Sequence, residues 1–98
     1  MKKEQDHFEV LRKIHKKPNS SQRELAKELD FSLGKLNYCI KALQAKGLVK
    51  IQNFSKNPNK LNYFYYLTPK GITEKTKLTL NFMKRTMKEY DELKKEIN

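Results

Sequence analysis

At 98 residues the chain has room for one small domain and at most one appended element. Its 22 Lys plus Arg against 11 Asp plus Glu leave a net charge of +11, an excess suited to a polyanionic partner through counterion release. Five Tyr and five Phe exclude a disordered basic tail, no apolar run approaches a membrane span, and one cysteine excludes an intramolecular disulfide and any Cys-based zinc site. The N-terminal MKKEQDHFEV lacks the apolar stretch of a secretory signal, so a reducing cytoplasm is the expected location.

In chain order, residues 4–16 (EQDHFEVLRKIHK) place Phe8, Leu11, Ile14 and His15 on one side of an amphipathic first helix. Lys17-Pro18 ends it, because proline disfavours helix at the residue before it. Asn19-Ser20 is a connector that could form a minimal strand. The segment SSQRELAKELD then predicts a second helix with a capping box, Ser21 at the N-cap and Glu24 three residues later. Leu25, Ala26 and Leu29 give it an inner face, and Asp30-Phe31 is a tight turn.

The next stretch, Phe31 to Gly47 (FSLGKLNYCIKALQAKG), predicts a helix capped by Ser32 and closed by Gly47. Leu36, Ile40 and Leu43 repeat at i, i+4 and i+7 as its buried stripe. Gly34, Asn37, Tyr38, Lys41 and Ala45 point the other way and include no carboxylate. An ordinary solvated face would mix Glu with Lys, whereas a face that lies against a polyanion would not. Two short helices joined by a three- or four-residue turn make a helix-turn-helix, with this second helix placed to enter the DNA major groove.

After Gly47, LVKIQNF and LNYFYYL flank the polar SKNPNK and predict a hairpin. Val49 and Ile51 alternate on the first strand, and Tyr63, Tyr65 and Leu67 share a face of the second. A hairpin straight after the recognition helix makes a winged helix. Thr68-Pro69 opens a last helix, an N-cap followed by proline at the first helical position, and only Gly71 weakens it. It spans about 30 residues, roughly 45 Å at 1.5 Å per residue, longer than the rest of the domain needs. Met83, Met87, Tyr90 and Ile97 follow steps of four, three and seven, close to a heptad seam. With Phe82 and Leu93 they form a face whose simplest partner is a second copy. Residues 1–68 hold 14 basic and 6 acidic residues, and residues 69–98 hold 8 and 5, so the charge is concentrated in the first part.

The run SSQRELAKELDFSLGKLNYCIKALQAKGLVKIQNF followed by YYLTPKG resembles the winged-helix domain of MarR-type bacterial regulators. The matching pieces are the S-Q-R-E-L-A second helix, the S-x-G-K-x-N start of the recognition helix, the L-x-x-K-G-L-V exit and the L-T-P-K-G that begins the last helix. The chain is most similar to the short, EPS-associated members linked to exopolysaccharide genes, and the resemblance covers roughly residues 5–97. It implies a dimeric DNA-binding transcriptional regulator whose groove-reading residues are Ser32, Gly34, Lys35, Asn37, Tyr38 and Lys41, with a wing at residues 54–61. Longer family members have an extra N-terminal helix that helps build the dimer domain and a small-molecule pocket. The sequence here begins at the first helix of the DNA-binding unit, so an effector of the salicylate or phenolic kind is not expected. The family wing usually sends an arginine into the minor groove, whereas this one offers Lys56 and Lys60 and no Arg.

In chemical terms, Asn37 can pair bidentately with adenine, Lys35 and Lys41 can reach guanine or phosphate, and Tyr38 can donate to a phosphate or press on a thymine methyl. Gly34 would let the helix N-terminus approach the DNA backbone closely. Ser21, Gln22 and Arg23 begin a helix whose free N–H groups can face a phosphate, with a plain capping box as the alternative. Lys56, Asn57, Asn59 and Lys60 at the wing tip are expected on phosphates, with a solvated loop as the alternative. Cys39, at the border of the buried stripe, reads as a packed thiol rather than a redox switch. His7 and His15 lie eight apart with no ligand cluster, so neither a metal nor a cofactor is expected. Tyr63, Tyr65 and Tyr66 are either a base-stacking platform or, more simply, packing against the first and last helices. No catalytic constellation occurs, so an enzyme is not expected.

The reading is a mainly α fold with a small β-hairpin. It consists of a winged helix-turn-helix DNA-binding domain over residues 1–68 and a long C-terminal dimerisation helix over residues 69–98. Its expected partners are double-stranded DNA and a second copy of the chain, not a membrane. A protein-interaction module and a single-strand or RNA binder remain open alternatives.

Overall fold

A computed structural model describes residues 2–18, 20–53 and 63–97. Six elements follow one another: α1 (Lys2–Lys16), α2 (Gln22–Leu29), α3 (Leu33–Ala45), β1 (Val49–Asn53), β2 (Tyr63–Leu67) and α4 (Pro69–Ile97). The strands pair antiparallel, Val49 opposite Leu67 and Ile51 opposite Tyr65. This is the mainly α, winged helix-turn-helix architecture expected from the sequence. The wing tip with Lys56, Asn57 and Lys60 lies outside the described residues, as does Asn19. Ser20 forms no strand; its N–H bonds back to the Lys17 carbonyl at 3.2 Å.

Local chemistry sets each boundary. Ser21 caps α2 by accepting the Glu24 N–H at 3.2 Å, and the Glu24 carboxylate in turn accepts from the Ser21 hydroxyl. Asp30 ends α2 in the left-handed region at φ 57°, which Asp tolerates better than most residues. Ser32 caps α3 by accepting the Lys35 N–H at 3.1 Å. At the other end Gly47 takes φ 73°, and the N–H groups of Gly47 and Leu48 reach back to Gln44 and Leu43 at 2.9 Å, a Schellman motif.

The core sits where α1, α2, α3 and the base of the hairpin meet. Leu36, Cys39, Ile40 and Leu43 from α3 pack with Leu25 and Ala26 of α2 and with Leu48, Val49, Tyr65 and Leu67. On α1 the buried set is His7, Val10, Leu11 and Ile14, with Phe8 beside it. His15 is exposed, contrary to the expected stripe, and its Nδ1 lies 3.0 Å from the Lys75 ammonium. His7 and Val10 complete the i, i+3, i+4, i+7 spacing with Leu11 and Ile14, which turns His15 outward.

One cluster joins α3, the hairpin and α4. Thr68 donates its hydroxyl to the Gly47 carbonyl at 2.6 Å and accepts the Gly71 N–H at 3.0 Å, while its own N–H bonds the Leu48 carbonyl at 3.0 Å. Gly71 is the buried residue of α4, and a Cβ there would run into the Leu48 carbonyl. The sequence reading of Gly71 as a weak point of the helix is thus corrected: it is where α4 crosses backbone closely enough to need glycine. Distally α4 leaves the body. Every residue from Leu80 to Ile97 is exposed, and the molecule extends 62 × 26 × 19 Å.

Two glycines give opposite expectations for replacement by alanine. Gly71→Ala should cost about 1–3 kcal/mol through overpacking against Leu48. Nothing lies within 4 Å of a Cβ at Gly34, so Gly34→Ala should stabilise by about 0.5–1 kcal/mol. Urea denaturation of both variants checks the contrast.

Candidate nucleic-acid interface

Burial of Leu36, Cys39, Ile40 and Leu43 fixes the rotation of α3, and what faces out follows from that rotation. Ser32, Gly34, Lys35 and Lys41 are exposed, Tyr38 is 61% exposed, and Asn37 is half-buried beside them. These six therefore share the open side of one helix. At the start of α2, Arg23 is exposed while Ser21 and Gln22 are half-buried. The Gln22 side-chain oxygen accepts from the Tyr65 hydroxyl at 3.3 Å, which ties the N-terminus of α2 to the wing. Tyr65 is buried in the core and not part of a stacking platform, in line with the packing alternative.

The first turns of α1 add two residues that the sequence reading did not include. The Asp6 carboxylate lies 3.4 Å from the Lys35 ammonium, which also sits 4.1 Å above the Phe31 ring. The Lys3 ammonium stands 5.9 Å from the centre of the Tyr38 ring. Asp6 and Lys35 are 29 positions apart, so no local pattern marks the pair; the one available hint was that Lys3 and Asp6 fall on one side of α1 at i, i+3. The carboxylate-free face of α3 thus has a carboxylate at its edge, supplied by another helix. Burial pushes the Cys39 thiol up, reinforced by the Asp6 charge and opposed by Lys35, as befits a packed thiol.

Behind this face a cleft of about 650 Å³ runs between α1, the end of α3 and α4. Leu11, Leu43, Leu48 and Leu78 line it together with His7, Lys3, Lys46 and Lys70. His7 is 7% exposed and its Nε2 has no hydrogen-bond partner. Burial lowers its pKa, Lys46 and Lys3 lower it further, and Asp6 opposes them. Among the described residues no group of His, Cys, Asp and Glu could hold a metal ion, and no helix is long and apolar enough to cross a membrane.

Residues 7–50 match the family model described as winged helix-turn-helix DNA-binding. No curated protein matches the chain in sequence. Several solved structures do match in fold. A Staphylococcus aureus MarR, solved in complex with salicylate and kanamycin, is 22% identical over 89% of this chain and 57% of its own, with a TM-score of 0.75. A structure described as multiple antibiotic resistance repressor, MarR, is 27% identical over 87% of this chain and 60% of its own, again at 0.75. Streptococcus pneumoniae FabT, solved in complex with DNA, is 21% identical over 89% and 59%, at 0.69. The chain spans between about half and three-fifths of the length of the structures it matches.

Fold and matches together define a winged helix-turn-helix protein. Within that class its architecture matches that of the solved MarR structures. Because one such neighbour was solved with salicylate and kanamycin, the relatives give no support to the expectation that a small-molecule effector is absent.

The environment of His7 makes a pH prediction. Its folded pKa lies below the ordinary 6.5, so the unfolded chain binds the proton more readily. The stability it contributes is complete above 6.5 and is lost as pH falls through 6.5 toward the lowered value. Urea midpoints measured on either side of 6.5 should show this acid-side loss in the wild type and a smaller loss in His7→Leu.

Proposed function

We propose that the protein is a cytoplasmic transcriptional regulator that binds double-stranded DNA sequence-specifically as a homodimer on an inverted repeat. One observation carries the reading: α3, joined to α2 by a tight turn, presents a side with no carboxylate of its own, open from Ser32 to Lys41. Tyr38 and Lys41 are exposed there, and half-buried Asn37 lies one turn before Lys41 on the same side. The net charge of +11 supplies the non-specific attraction, and Asn37, Tyr38, Lys41 and Lys35 supply the sequence choice. The DNA complex of Streptococcus pneumoniae FabT supports the same partner class. The targets suggested by sequence resemblance are exopolysaccharide-associated genes.

The dimer part rests on α4. Met83, Met87, Tyr90, Leu93 and Ile97 are all more than half exposed, with Phe82 at the near end of the same stretch. So much apolar surface on one helix is unusual for a monomer and suits a second copy. Two-fold symmetry would then set the recognition helices in successive major grooves, about 34 Å apart.

Selection of bound sequences from a random duplex library tests the whole reading. It should return an inverted repeat with half-sites one turn apart, and failure to enrich any duplex would overturn it. Asn37→Ala should cost roughly 1–3 kcal/mol and relax one base position. Lys56→Ala should weaken all sequences alike and flatten the salt slope by about one. For assembly, truncation after Met83 should leave a folded monomer that binds weakly, read by sedimentation; an intact chain that sediments as a monomer would remove the dimer.

A further inference from the structure

The ion pair between α1 and the recognition helix assigns Asp6 a role in the DNA interface, and the inference rests on the DNA-binding reading above. Lys35 lies in the first turn of α3, where a free ammonium would be an obvious phosphate ligand. The structure does not leave it free. Its Nζ is held between the Asp6 carboxylate at 3.4 Å and the face of Phe31 at 4.1 Å, and the Asp6 side chain is only 23% exposed. Phe31 is itself half-buried against the core in the turn between α2 and α3. The anion is therefore fixed by α1, the ring is fixed by the turn, and the flexible partner is the lysine.

We propose that Asp6 is a positioning residue for the DNA interface: its carboxylate occupies the Lys35 ammonium in place of a DNA phosphate, keeping that lysine out of non-specific binding. A phosphate that recruits Lys35 must displace a carboxylate already in contact with it and then lie close to the anion left behind. Non-specific binding consists of phosphate neutralisation, so it loses the contact that a free Lys35 would make. The base contacts open to Asn37, Tyr38 and Lys41 do not run through Lys35 and are untouched. Asp6 thus takes one phosphate contact out of non-specific binding without removing a base contact. Lys41, two turns further along α3, is exposed and has no carboxylate against it among the described residues, so it counts in both modes.

The salt dependence of binding counts the cations engaged, at about 0.9 per phosphate contact. The probe is a short random-sequence duplex, titrated by fluorescence anisotropy at a series of KCl concentrations against the full-length protein. Lys41→Gln should flatten the slope by about 0.9, while Lys35→Gln should leave it at the wild-type value. Asp6→Asn should steepen it by about 0.9 and tighten binding roughly two- to fivefold. Glu4→Gln removes the same charge from an exposed site on the same helix and should not change the slope. In a Lys35→Gln background Asp6→Asn should no longer steepen it. The proposal is overturned if Lys35→Gln flattens the slope as Lys41→Gln does, if Asp6→Asn behaves like Glu4→Gln, or if its steepening survives without Lys35. Absence of any duplex binding by the wild type would instead remove the DNA-binding reading, and this role with it.

Discussion

The packing of α3 against the body is the constraint on which the rest depends. Leu36, Ile40 and Leu43 are essentially inaccessible to water, each contributing about 1.5–3 kcal/mol of burial, and Cys39 fills the space beside them. A turn of the helix by one residue would expose leucines and bury Lys41 or Asn37 without partners, a loss that no surface interaction offsets. The orientation of the outer face is therefore a consequence of the inner one. The two Ser caps and the glycine at position 47 fix where that face starts and stops, and Leu48 drops into the core immediately after it.

What the sequence made legible is what is encoded locally. Ser21, Ser32, Gly47 and Thr68-Pro69 act on neighbours three or four positions away, so the helix boundaries could be read without knowing the fold. The shared face of Tyr65 and Leu67 likewise needs only the strand's own period, whereas Ile51, paired with Val49 by the same rule, is exposed. Contacts between distant residues were beyond such reading. Gly71 reads as a weak point in a helix until Leu48, 23 residues earlier, is seen against it. His15 seemed to extend a stripe that His7 and Val10 in fact complete, because two adjacent stripes of a short helix differ by a single residue. Within the candidate interface, the outward residues of α3 followed from periodicity. The partners of Lys35 and Tyr38 did not, since Asp6 and Lys3 reach them only once α1 is laid across α3.

Charge has to be read in the same three-dimensional way. Along the chain, α3 is free of acid and the nearest carboxylates before it belong to the second helix and its cap. In space the carboxylate that matters comes from α1. A composition of +11 describes the attraction between this protein and a polyanion. It does not say which of the cations are available, and Lys35 shows that an exposed lysine on the candidate interface can already have its counter-charge. The same holds at Lys17, whose ammonium is engaged by Glu28 and holds that carboxyl below its ordinary range.

The two halves of the long helix do different things. Its first turn is knitted to the end of α3 through Thr68, which bonds the carbonyls of Gly47 and Leu48 and the N–H of Gly71. The closeness of Gly71 to Leu48 leaves no room for sliding. Its distal half makes no such commitment and shows apolar side chains to solvent. A partner that covers those side chains would grip one end of a rod whose other end is fixed to α3. The separation and angle between two copies of α3 would then be set by packing along α4, and α4 cannot rotate against α3 without breaking the Thr68 bonds. In the proposed dimer a rigid link of this kind would turn a preference for one arrangement of two chains into a preference for one spacing of half-sites on DNA.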